Sequence, residues 1–433
     1  MLQYLKQIWH TKDLRKKILY TIGILALYRA MIQVSIPSIN LDNLAALFDT
    51  QSGGTLGAFS LLTGGSAENF SIMLMGLSPY INASIIVQLL AVVIPKLEQL
   101  SKEGEQGRAK MTKYTNWLTL PLAFLQSYGM LVLMNSSAGN LPIIESIRDP
   151  YIVLPIMLTV TTGTLIMMWL GNLITENGIG NGVSLLIMTS ILSALPQAVS
   201  GALQTVSIDQ TKLIPIAATA IFAILLTVLI VIVSESYKNI PISYGGKGQK
   251  MKQNFLPLRL NQAGMIPIIF AVSMIAFPTV AAQFMQNSDS ESVKSIAEFI
   301  NTHFNRTGVV YMVVYYILIV LFTFFYVSIT FNPEQVAENI QKRGGFVPGI
   351  RPGKATSEYI GRISNRLTLF GGIFLAFVAI APIAAQNLTA QSSGGAVPVL
   401  VSGAGLIIIV GVVLDLMRQV SAQLAMHNYN KFY

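Results

Sequence analysis

Apolar residues in this chain gather into ten runs, at roughly 18–36, 71–95, 114–135, 151–174, 183–204, 213–234, 262–285, 309–331, 365–388 and 394–416, with polar connections between them. A helix of about 20 apolar residues crosses ~30 Å of hydrocarbon, so the pattern predicts ten membrane spans. Charge then orients them. Of the 28 Lys and Arg residues, 23 fall in alternate connections: five in 1–17, five in 96–113, five in 235–261, six in 332–366 and two after Asp415. The intervening connections hold none in 37–70, Arg148 in 136–150, Lys212 in 205–212, two in 286–308 and none in 389–397. Basic loops stay on the cytoplasmic side of a bilayer, and an even number of spans places both termini there.

Composition agrees with that reading. Hydrophobic residues make up 53% and charged residues 11%, whereas a soluble domain is roughly one quarter charged. The net charge of +9 therefore mostly reports topology. The absence of cysteine excludes a disulfide framework, a thiolate metal site and a cysteine nucleophile. Lys16 and Lys17 before an apolar run look like the start of a signal peptide. Arg29 interrupts that run and no small-x-small cleavage site follows it, so a retained first span is predicted. Arg29 costs ~3 kcal/mol at a helix centre and is expected to snorkel or to pair with a neighbouring helix.

Proline punctuates the spans at Pro79, Pro121, Pro155, Pro196, Pro267, Pro278 and Pro382. Each removes a backbone donor and is expected to bend its helix, which lipid tolerates only where protein or water covers the freed carbonyl. Together they favour a bundle built around a cavity. Residues 37–70, on the non-basic side, hold a short apolar stretch at 56–63 beside Ser52-Gly53-Gly54 and Gly64-Gly65. Composition leaves a surface loop and a half-helix dipping back into the bilayer equally open.

The connections at 96–113, 235–261 and 332–364 have the texture of docking surfaces. The last two run to 27 and 33 residues, far beyond the roughly 2–8 that join neighbouring helices. Long basic loops beside a membrane suit an acidic partner such as ribosomal RNA, an acidic protein groove or anionic lipid. The three histidines, His10, His303 and His427, lie outside the spans, and apart from Arg29 no span interior holds an Asp, Glu, Lys or Arg, with Glu176, Glu235 and Asp415 at the edges. That counts against an ion-coupled carrier. No phosphate loop or H-E-x-x-H helix is present, so no enzyme and no cofactor are predicted, and any energy source must be a partner.

Several loop words resemble one family. The run Ile174-Thr175-Glu176-Asn177-Gly178-Ile179-Gly180-Asn181-Gly182-Val183-Ser184 closely resembles the ITE-x-GIGNG-[IV]-S signature of SecY, the bacterial protein-conducting channel family. Further similarities are residues 77–90 followed by Lys102-Glu103-Gly104-Glu105, Leu256-Pro257-Leu258-Arg259-Leu260-Asn261, Phe331-Asn332-Pro333, and Gly345-Phe346-Val347-Pro348-Gly349-Ile350-Arg351-Pro352-Gly353. They occur in family order over about residues 14–430.

The resemblance implies an all-α polytopic membrane protein with ten transmembrane helices in two inverted five-helix halves, a clamshell with a re-entrant plug half-helix. The halves would be 1–204 and 213–433, hinged at 205–212. It maps a pore ring to Leu77, Ile81, Ile187, Ile269 and Ile408, aliphatic side chains that dewet a neck yet yield to a passing chain. It maps the plug to Leu56, Gly57, Ala58, Phe59, Ser60, Leu61 and Leu62. A lateral gate, formed by spans 2 and 3 against 7 and 8, would include Asn82, Gln88 and Asn261. Motor or ribosome docking would fall to Lys247, Lys250, Lys252, Arg259, Arg351 and Lys354. The implied partners are SecE-like and SecG-like small membrane subunits, a SecA-type ATPase motor, the ribosome, secretory preproteins with their signal peptides, and the phospholipid bilayer. The implied setting is a bacterial plasma membrane. The family's I-P-x-P-G-I reads Ile36-Pro37-Ser38-Ile39-Asn40 here, Glu68-Asn69 stands where an Arg is usual, and the opening of span 10 reads Ser402-Gly403-Ala404-Gly405. A small-molecule carrier built on broken helices and inverted repeats, or a non-conducting scaffold or insertase, are the competing classes.

Overall fold

The computed structural model describes residues 10–37, 39–40, 43–44, 65–137, 143–144, 149–244, 252–286, 291–304, 308–393 and 402–430. The helices among them are α1 (Lys12–Ile32), α2 (Ser78–Val93), α3 (Pro95–Lys102), α4 (Glu105–Ser137), α5 (Pro150–Asn177), α6 (Gly182–Ile208), α7 (Leu213–Ser234), α8 (Ile266–Gln286), α9 (Glu291–His303), α10 (Val309–Thr330), α11 (Pro333–Lys342), α12 (Lys354–Ser393) and α13 (Gly403–Asn430). Every predicted span contains a helix. Among the described residues, seven are long and apolar enough to cross a bilayer by themselves, namely those in α4, α5, α6, α7, α10, α12 and α13. α7 is apolar on all sides and leaves Ile214, Ile221, Leu225 and Ile232 exposed, which only lipid or another protein can satisfy.

The helix boundaries carry most of the new information. Span 2 opens not at residue 71 but at Ser78, with Pro79 in the first turn, where its missing N–H costs nothing. Pro267 likewise stands at the start of α8, so these two prolines begin helices instead of bending them. Pro121, Pro155, Pro196, Pro278 and Pro382 do lie inside helices. α12 begins ahead of the predicted span and runs for 40 residues. The last helix begins only at Gly403, capped by Ser402 Oγ, which accepts from the Gly405 N–H at 3.1 Å.

The described contacts divide the chain into two compact units. One comprises Met1–Asp209, Ala276–Phe304 and Val412–Tyr433, the other Gln210–Ile275 and Asn305–Gly411. In the first, α4 packs against α2 and α5, and α5 against α1 and α6. Its core gathers Phe70, Leu74, Leu131, Met134, Ile143 and Val160. In the second, α10, α7 and α11 all pack on α12.

The connection at 235–261, expected only as a long basic loop, holds a β-ribbon. β1 (Tyr237–Tyr244) pairs antiparallel with β2 (Lys252–Arg259), from Tyr237 opposite Arg259 to Tyr244 opposite Lys252. β3 (Gly345–Phe346), from the other long connection, adds to β1 at Ser243 and Tyr244. A proline is foreign to the middle of a sheet because it cannot donate to the ladder. Pro241 is tolerated because β3 is so short that this part of β1 has a single neighbour, β2.

Candidate functional site

In the first unit the signature loop between α5 and α6 is a lock between helices. Thr175 Oγ1 donates to the Gly171 carbonyl (2.9 Å) and accepts from the Gly182 N–H (2.9 Å), and Asn181 Oδ1 caps α6 by accepting from the Ser184 N–H at 3.1 Å. The Ile179 N–H donates across to Thr21 Oγ1 of α1 at 3.1 Å. A Cβ on Gly182 would overlap the Gly171 carbonyl, and one on Gly178 would fall 2.5 Å from Thr21 Oγ1. Gly180 holds φ +89, a left-handed conformation that costs other residues about 1–2 kcal/mol. The Ile179 side chain then packs with Leu14 of α1 and Leu424 of α13.

The same unit fixes α1 a second time. Tyr28 Oη lies 2.5 Å from Ser190 Oγ, and Arg29 Nη1 donates to Ser193 Oγ at 2.8 Å. Arg29 thus pairs with a neighbouring helix, one of the two fates expected for it. The chain entering α2 is held just as firmly. Ile36 N–H donates to the Phe70 carbonyl, Ile72 N–H to the Val34 carbonyl, and Ser71 Oγ to the Met31 carbonyl. Phe70 is fully buried and carries φ +41, a strained backbone for a bulky residue. At Gly163 of α5 a Cβ would overlap the Ile72 carbonyl, so bare backbone lets α5 close on this segment. Leu77 directly precedes α2, and its carbonyl accepts from the Ile81 N–H at 3.0 Å, which stacks the two side chains one turn apart.

In the second unit the two long basic connections form one platform. Ile240, Ile242 and Leu258 of the ribbon share a core with Ile340 of α11, Val347 and Ile360 of α12. Gly345 fits because a Cβ there would come within 2.8 Å of the Tyr244 ring and 3.1 Å of Ile340 Cγ2. Around that core stand the exposed cations Lys238, Arg259, Lys342, Arg343, Arg351, Lys354, Arg362 and Arg366, against the exposed acids Glu235, Glu334, Glu338 and Glu358. The Lys342–Glu338 pair at 2.8 Å is solvent-exposed and so contributes no more than ~0.5 kcal/mol. Asn332 Oδ1 caps α11 by accepting from the N–H groups of Glu334 (3.0 Å) and Gln335 (3.3 Å). Below the ribbon, Ser364 Oγ donates to Gln262 Oε1 at 2.8 Å, tying the chain entering α8 to α12.

The residues predicted from sequence fall as follows. Leu77, Ile81 and Ile187 belong to the first unit, Ile269 and Ile408 to the second. All five stand at or near the start of a helix: Leu77 just before α2, Ile81 in its first turn, and Ile187, Ile269 and Ile408 in the first two turns of α6, α8 and α13. Leu77 and Ile408 are buried within their units, whereas Ile81, Ile187 and Ile269 are half-buried. Gln88 Nε2 donates to Ser84 Oγ at 3.0 Å within α2, and Asn82 is half-buried on the same helix. Asn261 Oδ1 accepts from the Gly264 N–H at 3.0 Å, closing the turn that leads to α8. Arg259 and Lys252 stand at opposite ends of β2, while Arg351 and Lys354 are exposed around the start of α12. Leu56, Gly57, Ala58, Phe59, Ser60, Leu61 and Leu62 lie outside the described residues, as do Lys247 and Lys250.

Sequence reasoning missed the apolar core beneath the basic rim. Its only signals were the short alternations Ile240-Pro241-Ile242 and Leu256-Pro257-Leu258. It also missed Gln262 and the glycines at 163, 171 and 182, whose role is to let backbone meet backbone.

Known proteins resemble this chain in sequence and in fold. The family model for SecY matches residues 71–417. The chain is 37% identical to protein translocase subunit SecY of Streptomyces coelicolor over 100% of both sequences. It is 38% identical to that of Mycobacterium tuberculosis over 98% of this chain and 97% of the relative. Among solved structures, a protein-conducting channel matches with a TM-score of 0.65 at 18% identity, covering 94% of this chain and 92% of that one. Sec61 in the canine ribosome–channel complex from the endoplasmic reticulum matches with a TM-score of 0.62 at 17% identity, again over 94% and 92%. The structural likeness establishes the fold, and full-length identity well above 30% establishes the lineage. This chain belongs to the SecY family.

Proposed function

We propose that the chain is the central pore-forming subunit of the general secretory translocon, conducting unfolded polypeptides across a bacterial plasma membrane and releasing hydrophobic segments sideways into lipid. The observation that carries this reading is the placement of the five aliphatic side chains. Leu77, Ile81, Ile187, Ile269 and Ile408 each stand where a helix starts after a break, two units contributing three and two of them. Converging on one axis, such side chains make a neck too apolar to hold water or ions. They present no hydrogen-bonding group to snare a passing chain. The stretch 56–62 is the plug of this reading, reached through the firmly held segment that follows it.

Asn82, Gln88 and Asn261 form part of the lateral gate. Gln88 bonds to Ser84 within α2 and Asn261 to Gly264 in the turn before α8, so these two bonds can stay intact while the gate parts for a hydrophobic segment. The halves that move are 1–204 and 213–433, about a hinge at 205–212. The chain performs no catalysis itself and holds no cofactor. Work is supplied by a SecA-type ATPase or a translating ribosome seated on the basic rim of the platform, including Lys247, Lys250, Lys252, Arg259, Arg351 and Lys354. SecE-like and SecG-like subunits complete the assembly. The likeness to a Sec61 channel solved with a ribosome supports the ribosomal arm. The alternating basic connections support cytoplasmic termini.

Replacing Ile187 and Ile408 by Gly in reconstituted channels tests the ring. Resting ion conductance rises, and a stalled secretory precursor crosslinks to probes at Ile81 and Ile408. Unchanged conductance together with crosslinks confined to lipid would reject the ring.

A further inference from the structure

α9 is an amphipathic helix in the connection between α8 and α10. Glu291, Lys294 and Glu298 share one face. On the opposite side Ala297 is buried and Val293 and Ile300 are half-buried against the rest of the protein. Between these faces lies an apolar shoulder, where Ile296 is 51% and Phe299 60% exposed. A Phe and an Ile at i, i+3 on the flank of a charged helix are unfavourable in water, because apolar surface left wet forgoes the gain of transfer to an apolar environment.

The chain itself states what lies within reach. α8 ends at Gln286 and α9 begins at Glu291, and α9 ends at His303 while α10 begins at Val309. Extended chain covers at most about 3.5 Å per residue, so α9 sits within roughly 20 Å of the ends of two apolar helices. The headgroup layer, about 5–8 Å thick on each side of the hydrocarbon, lies within that reach, and helices with one charged face and one apolar face settle there with the apolar side ~5–10 Å into the acyl boundary.

We propose that α9 is an interfacial anchor, its Ile296–Phe299 shoulder seated in the bilayer leaflet at the α8–α10 end of the molecule. It holds the ends of α8 and α10 at a fixed height while the helices themselves are free to tilt. The occupant is lipid.

The chain contains no cysteine, so single thiols can be introduced without background. Ile296→Cys, Phe299→Cys, Lys294→Cys and Glu298→Cys variants of the full chain, labelled with an environment-sensitive fluorophore and reconstituted in phosphatidylglycerol–phosphatidylethanolamine vesicles, are challenged with aqueous iodide and with lipids carrying shallow nitroxides. The expected result is blue-shifted emission at 296 and 299, quenched by nitroxide lipid and spared by iodide, with the reverse at 294 and 298. Iodide quenching at 296 and 299 equal to that at 298 overturns the anchor. Shielding of 296 and 299 from both quenchers assigns the shoulder to a protein contact and overturns it equally. The readout is independent of translocation, so it stands or falls apart from the channel reading.

Discussion

The junction at the signature loop and the platform on the long basic connections solve opposite problems. At the junction, α5, α6 and α1 come so close that a methyl group has no room: Gly182 faces the Gly171 carbonyl, and Gly178 faces Thr21. Polar atoms are consumed inward, with Thr175, Asn181 and Thr21 all bonded to backbone. On the platform a small apolar core of Ile240, Ile242, Ile340 and Ile360 carries a rim of charges turned to solvent. The first region spends its chemistry on holding helices together. The second leaves its charged groups exposed to solvent. Glycine-rich and charge-rich words are equally conspicuous in a sequence, and here they mean fixation in one place and presentation in the other.

Breaking the junction is expected to have the largest effect. Gly182→Val must displace either the Gly171 carbonyl or the start of α6, and costs about 4 kcal/mol, at the upper end for overpacking. Loss of membrane-accumulated protein and a lower aggregation temperature in detergent would register it. Accumulation at the parental level would mean the helices can part, and the contrast with the platform would weaken. Next comes Ile340→Ala, which removes a buried side chain from the platform core at about 3 kcal/mol. The expectation is faster hydrogen exchange across β1, β2 and α11, with α5 and α6 unchanged. Spread of the effect into α5 and α6 would deny the two regions their independence.

Tyr28→Phe is smaller. It removes one interhelical hydrogen bond to Ser190, worth roughly 0.6–1.7 kcal/mol in a bilayer, and is read as a modest fall in melting temperature without loss of fold. Arg351→Glu has the least effect on stability, within about 0.5 kcal/mol for an exposed site. Yet it is expected to reduce motor-driven export of a secretory precursor sharply. Export at the parental rate would remove this part of the rim from docking.

Much of the molecule is legible without coordinates because lipid imposes a length and a composition on every span. All ten helix positions follow from that rule, and the pairing of Arg29 follows from the cost of an uncompensated charge. Boundaries are less legible. Residues 71–77 are apolar enough to continue α2, yet they are held in turns by hydrogen bonds to 31–36 around the strained Phe70. No local pattern reports bonds to a segment forty residues earlier. The same holds for the signature glycines: their spacing marks the family, and the carbonyls they admit are visible only once the helices are packed.

The amino-acid order alone therefore marked the ten apolar stretches that hold helices, the connections that are basic and the lineage the chain belongs to, since each depends on transfer energies and words within a short window. Packing alone decided that 235–261 is a ribbon and that it joins 332–364 in one platform. The pairing of Ser243 with Phe346 brings together residues about a hundred positions apart, and its stability comes from a shared apolar core that neither segment possesses by itself.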